Sequence, residues 1–163
     1  MLVSLHNDDL GYESNCFVCE QRNQRGLRVP FAHDTGRGMV VADFALSDSF
    51  SGAPTMVHGG VVLALLDEAM AWACIAIAHR WAVTTETSTK FHGAVYVDKE
   101  HRVEAEIVDL SDTEIRTAAR IVDMKGRVRS ESTATFTVLG EAQIKRAAGV
   151  DQADELDESV RLS

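Results

Sequence analysis

Two adjacent acids, Asp67 and Glu68, stand in the middle of the stretch Met56 to His79, which carries no Lys, no Arg and no other acid. A carboxylate taken from water into a protein core costs several kcal/mol unless something there interacts with it. Side by side, the two charges also raise the pKa of at least one, which suits a general base better than a structural ion pair. Successive helix positions point about 100° apart, so one carboxylate can face a cleft while the other pairs elsewhere. The bland alternative is a structural acid pair bonded to backbone amides or an Arg. The same stretch opens on His58, Gly59 and Gly60, so the chemistry to look for combines a helix N-terminus with a carboxylate. Cys16 and Cys19 form a lone Cys-x-x-Cys. Zinc in a closed site needs four ligands, and there is no second Cys-x-x-Cys and no His-x-x-x-His, so the pair is expected as packed or surface thiols and no metal is assigned.

The element that must hold these acids is a helix of about five turns, apolar on nearly every side, and such a helix belongs inside a protein. Val61 to Ala78 reaches only the lower limit for a membrane span. Asp67 and Glu68 at its centre would each cost about 2.5 to 3.5 kcal/mol in a bilayer, so no membrane is expected as a partner. Residues 1–25 are polar and irregular, an N-terminal arm lying on the surface or poorly ordered. From Gly26, GLRVPFAHD and GMVVADFAL read as two strands of a hairpin, with Pro30 placing the first at an edge or bulge. Ser47 to Thr55 is a loop. After the helix, Trp81 to Val97 is a Thr-rich and Val-rich strand with a break near Gly93, and Arg102–Leu110, Glu114–Val122 and Arg127–Leu139 follow as strands divided by turns. The fold class is therefore α+β: an antiparallel sheet of about six strands, with one face to cover, wrapped around one long central helix. The domain occupies 26–139. Residues 140–163 form an acidic tail able to support a short helix at most. Trp72 and Trp81 are expected as core side chains.

With 163 residues the chain suits a single domain, and its net charge of -9 argues against a nucleic-acid partner, which would demand a basic stripe. An anionic ligand would need a local basic patch. Three cysteines, an odd number, and a first segment without a basic region and apolar run point to the reducing cytoplasm.

His-Gly-Gly, an acid nine positions after the His, and a Thr-bearing strand ending in an aromatic together resemble the hotdog-fold acyl-CoA thioesterases, in the PaaI-like (phenylacetate-type) branch. The likeness runs from about Cys16 to Val138, and Cys16, Phe17, Cys19, Gly26 and Leu27 also resemble many bacterial members. What it implies is an enzyme that hydrolyses an acyl-CoA thioester, with no cofactor. The backbone N–H of Gly59 would bind the thioester carbonyl, since the first-turn amides lack helix partners and the helix dipole adds about half a positive charge there. Gly60 leaves the substrate room, and His58 positions the turn without being the main base. Asp67 would be the base or nucleophile, with Glu68 its rival. Thr84, or its neighbour Thr85, would hold the water, and strand alternation lets only one of the two face the site. Lys90 and His92 are candidates to meet the coenzyme's phosphate or pantetheine, against a merely solvated strand end. Where some relatives carry an Asn six residues before the His, this chain has Gly52.

Gly59 and Asp67 are eight residues apart, about 12 Å along a helix axis, too far to touch one carbonyl. The resemblance thus implies a homodimer, or a dimer of such dimers, in which an antiparallel partner helix lends its Asp67. The alternatives are a hotdog-fold dehydratase or hydratase, which needs a catalytic His with a separate acid, and a non-catalytic acyl-CoA-binding protein, which would lose the acid.

Overall fold

The computed structural model describes residues 1–150. Among these residues nine strands and two α-helices follow one another: β1 Leu2–Ser4, β2 Ala32–Asp34, β3 Met39–Phe44, β4 Ser51–Ala53, β5 Met56–Val57, α1 Gly59–Ala76, β6 Ala82–Phe91, β7 His101–Leu110, β8 Glu114–Asp123, β9 Val128–Val138 and α2 Glu141–Ala148, with short 3-10 turns at Asn7–Leu10 and Asp48–Phe50. Seven strands form one sheet in the order β1-β2-β3-β7-β8-β9-β6, antiparallel at every junction, and β4 pairs with β5 apart from it. The chain leaves β3, crosses the sheet as α1, emerges at the far edge as β6 and returns through 92–100 to β7 beside β3.

Alternation decides which side chains meet the helix. Val40, Ala42 and Phe44 of β3, Val103 and Ala105 of β7, Ile115, Ala119 and Ile121 of β8, and Ala134 and Phe136 of β9 point to one face and are buried. Leu65, Leu66, Ala69, Met70 and Ala73 of α1 fill the space against them. Each large side chain so covered contributes about 1.5 to 3 kcal/mol of transfer free energy. This packing gives the apolar helix its place in a sheet-wrapped core, as its composition predicts. One stripe of α1 is not covered. Gly60 and Leu63 are exposed, and Ala64, Asp67 and Ala71 on the same side are half-buried.

Several expectations need correction. The first strand of the hairpin begins at Ala32 rather than Gly26. Pro30 has no N–H to give a ladder and Arg28 takes φ 53°, so the extended run is broken before it. The segment expected as a surface arm is tied down instead. Leu2–Ser4 pairs with β2, and Leu27 and Val29 donate their N–H groups to Phe17 and Val18 at 2.8 and 2.9 Å. Val18 and Leu27 are buried, and Asn7 and Arg22 both bond to buried Glu20. A few apolar anchors and one satisfied polar network suffice to hold a polar segment, which composition does not reveal. The loop before the helix carries the short β4–β5 pair, and the helix starts at Gly59. The first part of the tail is α2; the remainder of that expectation, 151–163, lies outside the described residues.

Candidate active site

The N-terminus of α1 is built by β5 and the residue after it. Val57 N–H donates to the Val95 carbonyl and His58 N–H to the Phe50 carbonyl, both at 2.8 Å, which fixes the approach of the chain. His58 is the N-cap, and its Nδ1 accepts the Gly60 N–H at 2.8 Å. That bond requires the Nδ1 lone pair to be free, so the imidazole works as a cap. Val61 and Val62 turn their N–H groups to the His58 carbonyl. Among the described residues, Gly59 N–H alone of this first turn donates to nothing. The ring edge of Phe91, at the end of β6, stands 3.9 Å from where a Cβ on Gly59 would be. Gly52 lies directly against His58: a Cβ there would meet His58 Cα at 3.2 Å, so a larger residue at this position crowds the cap.

Asp67 sits two turns on, along the uncovered stripe. Thr84 Oγ1 donates to its Oδ1 at 2.6 Å. A bulge between Thr84 and Glu86 accompanies the turning of Thr85 outward, where its hydroxyl bonds the Thr135 carbonyl at 3.1 Å. Beyond it, Thr87 and Thr89 both share hydrogen bonds with Ser132 Oγ, at 3.0 and 2.9 Å, so polar hydroxyls line β6 between Thr84 and Phe91.

The neighbouring acid goes elsewhere. Glu68 Oε1 accepts from the Cys16 thiol at 3.3 Å. Burial, then the Cys16 charge, pushes its carboxyl up to about 8, with Asp67 a small contribution. The sequence expected one raised acid from mutual repulsion; the main cause is desolvation. Cys16 is shifted the other way, to about 5, because the Cys19 thiol and the Cys19 and Val18 N–H groups all favour its thiolate.

The remaining candidates lie apart from these. On β6 the residues opposite Ser130, Ser132, Ala134 and Phe136 face α1, so Lys90, opposite Glu131, faces the other side of the sheet. There it borders an open groove of about 580 Å³ that also includes Met39, Glu104 and Arg120. His92 Nε2 reaches Glu131 Oε1 at 3.2 Å. The structure brings together His58, Gly59 and Gly60 at one end of α1 and Asp67 with Thr84 further along it, but Lys90 and His92 join neither group. Trp72 is core, whereas Trp81 is half-buried and packs on Tyr12 with ring centroids 5.3 Å apart. Two contacts escaped sequence reasoning. The aromatic end of the Thr strand marked Phe91 without its contact to Gly59, and nothing linked Cys16 to Glu68, 52 residues away.

Residues 55–130 match the family model described as Thioesterase superfamily. No curated protein matches the chain. Among solved structures, a thioesterase superfamily protein superposes with a TM-score of 0.71 at 24% identity, over 76% of this chain and 60% of its own; this chain thus spans less than two thirds of that protein's length. A hypothetical thioesterase of Streptococcus pneumoniae, crystallised with coenzyme A, gives a TM-score of 0.60 at 24% identity over 63% of this chain and 80% of that one. The E. coli PaaI protein from the phenylacetic acid degradation operon gives 0.59 at 17% identity, over 63% and 74%. The chain therefore has the hotdog fold, with its helix wrapped by the antiparallel sheet, and over residues 55–130 it matches the thioesterase superfamily.

Proposed function

We propose that this protein is an acyl-CoA thioesterase of the PaaI-like kind that works as a homodimer. Gly59 N–H of one protomer binds the thioester carbonyl, and Asp67 of the partner subunit directs water onto its carbon. The observation that carries this reading is the division of the two acids: Asp67 lies on the uncovered stripe with Thr84 bonded to one oxygen, while Glu68 is turned to the Cys16 thiol. Thr84 fixes the carboxylate and leaves Oδ2 to accept a proton from water. As the water oxygen bonds the carbonyl carbon, negative charge collects on the carbonyl oxygen, where an unpartnered first-turn amide and the helix dipole stabilise it. The C–S bond then breaks, and coenzyme A leaves as a thiolate that takes up the proton. Direct attack by Asp67 would instead form an anhydride that water opens.

Two features support the dimer. The 12 Å or so between Gly59 and Asp67 along the axis calls for a second helix. Among the described residues strand β6 also has a ladder on one side only, and Val83 and Phe91 on it are 45% and 54% exposed, with Leu63 of α1 at 38%. The coenzyme A held by the Streptococcus pneumoniae protein fits the same ligand class here. The dehydratase alternative needs a His free for proton transfer, and His58 spends its Nδ1 on the cap.

The test is turnover of short, medium, long and aromatic acyl-CoA esters followed with a thiol reagent. Asp67→Asn keeps the Thr84 hydrogen bond and is expected to lower kcat by about 10²-fold or more, in the range of general-base contributions. Unchanged turnover in that variant rejects the assignment.

A further inference from the structure

The N-terminal strap sets Cys16 and Cys19 against α1 at Glu68. Both sulfur atoms and a carboxylate oxygen of Glu68 lie within 4.8 Å of one another. Tetrahedral zinc, with thiolates at about 2.3 Å and a carboxylate oxygen at about 2.1 Å, spaces such ligand atoms roughly 3.6 to 3.8 Å apart. The cluster is therefore close to the size of a coordination sphere, and Cys16 Sγ and Glu68 Oε1 are already 3.3 Å apart.

The surroundings of Cys16 suit a thiolate, whereas the bond to Cys16, burial and the Glu68 charge push the Cys19 thiol up, so Cys19 loses its proton only as a cation arrives. Residues 16–19 form a turn in which the Val18 and Cys19 N–H groups both donate to Cys16 Sγ at 3.4 Å. Asn7 Nδ2 donates to Cys19 Sγ at 3.4 Å, and the same amide bonds Glu20 Oε2 at 3.1 Å, which holds it in place. Amide donors of this kind orient ligating sulfurs and spread their charge. Glu68 itself is partly buried with no Lys, Arg or His paired to it among the described residues; its polar contacts are thiols. Three acidic groups thus converge beneath the strap, and among the described residues no Lys, Arg or His forms an ion pair with Glu68 to balance them. Cys74, buried elsewhere in the core, takes no part.

We propose that Cys16, Cys19 and Glu68 bind one zinc ion per chain, with solvent in the fourth position, and that this ion fastens the N-terminal strap to α1 beside Asp67. Two thiolates and a carboxylate select zinc over the hard oxygen-seeking cations. As two Zn–S bonds and one Zn–O bond form, the two thiol protons and any proton on Glu68 pass to solvent, and three ligand charges become a site of net charge -1. The inference does not depend on the hydrolase reading, because it concerns the other acid of the pair.

The experiment uses the full chain, reduced with a phosphine, stripped with a chelator and titrated with cobalt(II) as a spectroscopic stand-in. Expected are thiolate-to-cobalt charge-transfer absorption and the visible bands of tetrahedral cobalt, both saturating at one equivalent per chain and abolished by added zinc. Glu68→Gln, which keeps the shape of the side chain, should weaken zinc binding by about tenfold or more. Cys16→Ser combined with Cys19→Ser should remove the charge-transfer band, with circular dichroism showing that each variant is folded. No charge-transfer band in the reduced wild-type chain overturns the proposal, as it would if the two thiols serve only as a disulfide pair. Equal zinc affinity in Glu68→Gln overturns it too. Should the variants not fold, the wild-type titration decides alone.

Discussion

At the scale of residues, the division between Asp67 and Glu68 governs everything else. Adjacent helix positions diverge by about 100°, and here that angle sends one carboxylate to a threonine on the uncovered stripe and the other to a thiol under the strap. The same economy operates at the helix start, where His58 takes the Gly60 amide and the Gly59 amide is left over. A substitution can remove that amide and little more. Proline is well tolerated at the first helical position, and His58, at φ -57° and ψ 136°, already has the backbone that a residue before proline adopts. A side chain at 59 would meet Phe91 at an ordinary 3.9 Å. Gly59→Pro is accordingly expected to keep its melting temperature within a few degrees while kcat falls about 10²- to 10³-fold, the usual loss on deleting an oxyanion donor. Thermal melts and acyl-CoA turnover on the same preparation check both halves. The helix start at His58 and the place of Asp67 on that helix were legible in advance, because His-Gly-Gly and the spaced acid are local patterns. The choice of Thr84 over Thr85 was not, since it depends on the bulge beside it.

At the scale of elements, the helix and the strands after it follow from periodicity, with bounds within about three residues of those expected, except that β6 stops at Phe91, six short of Val97 and just ahead of the break expected near Gly93. The N-terminal segment behaves differently. Its polar composition suggests an arm, yet hydrogen bonds from Leu27 and Val29 to Phe17 and Val18 make it a strap, closed where residue 26 passes the Phe17 carbonyl. Gly26 is required there: a Cβ would come within 2.5 Å of that carbonyl oxygen, which is also the acceptor for Leu27 N–H. The nearest obstacle is backbone and cannot swing aside, while the Asn23 side chain crowds the same position at 3.2 Å. Gly26→Ala is therefore expected to destabilise the protein by about 1 to 3 kcal/mol, in line with overpacking at closed sites. Chemical denaturation of the variant beside the parent measures it, with faster labelling of Cys16 and Cys19 by a thiol reagent as the local sign that the strap has loosened.

At the scale of the whole molecule, the proposed function requires Gly59 and Asp67, two turns apart in one chain, to meet at a single carbonyl. The proposed antiparallel pairing of two α1 helices brings each Gly59 beside the partner's Asp67 and lays the uncovered stripe, with exposed Leu63 and Phe91, against its twin. Mixing two inactive variants tests the arrangement directly. In a heterodimer of Gly59→Pro and Asp67→Ala chains, one site would collect both lesions and the other none. Co-unfolding and refolding the two should thus restore activity, up to about half of the native value per heterodimer, one intact site of two. If both groups of a site came from one chain, every site would remain damaged and the mixture would stay inactive.

What the sequence by itself determined were the features written in short-range pattern: the buried helix, the alternating strands that wrap it, and the helix start with its acid. Those patterns act over a few residues, where side-chain period and backbone preference leave few choices. What only the tertiary structure decided were the partnerships between distant segments. Glu68 meets Cys16 across 52 residues, Lys90 falls on the far side of the sheet from α1, and a polar arm becomes a strap. The reason is physical. The direction in which a side chain points, and what waits there, is set by the register and bulges of strands paired over long separations, and a single residue of slip turns it to the opposite face.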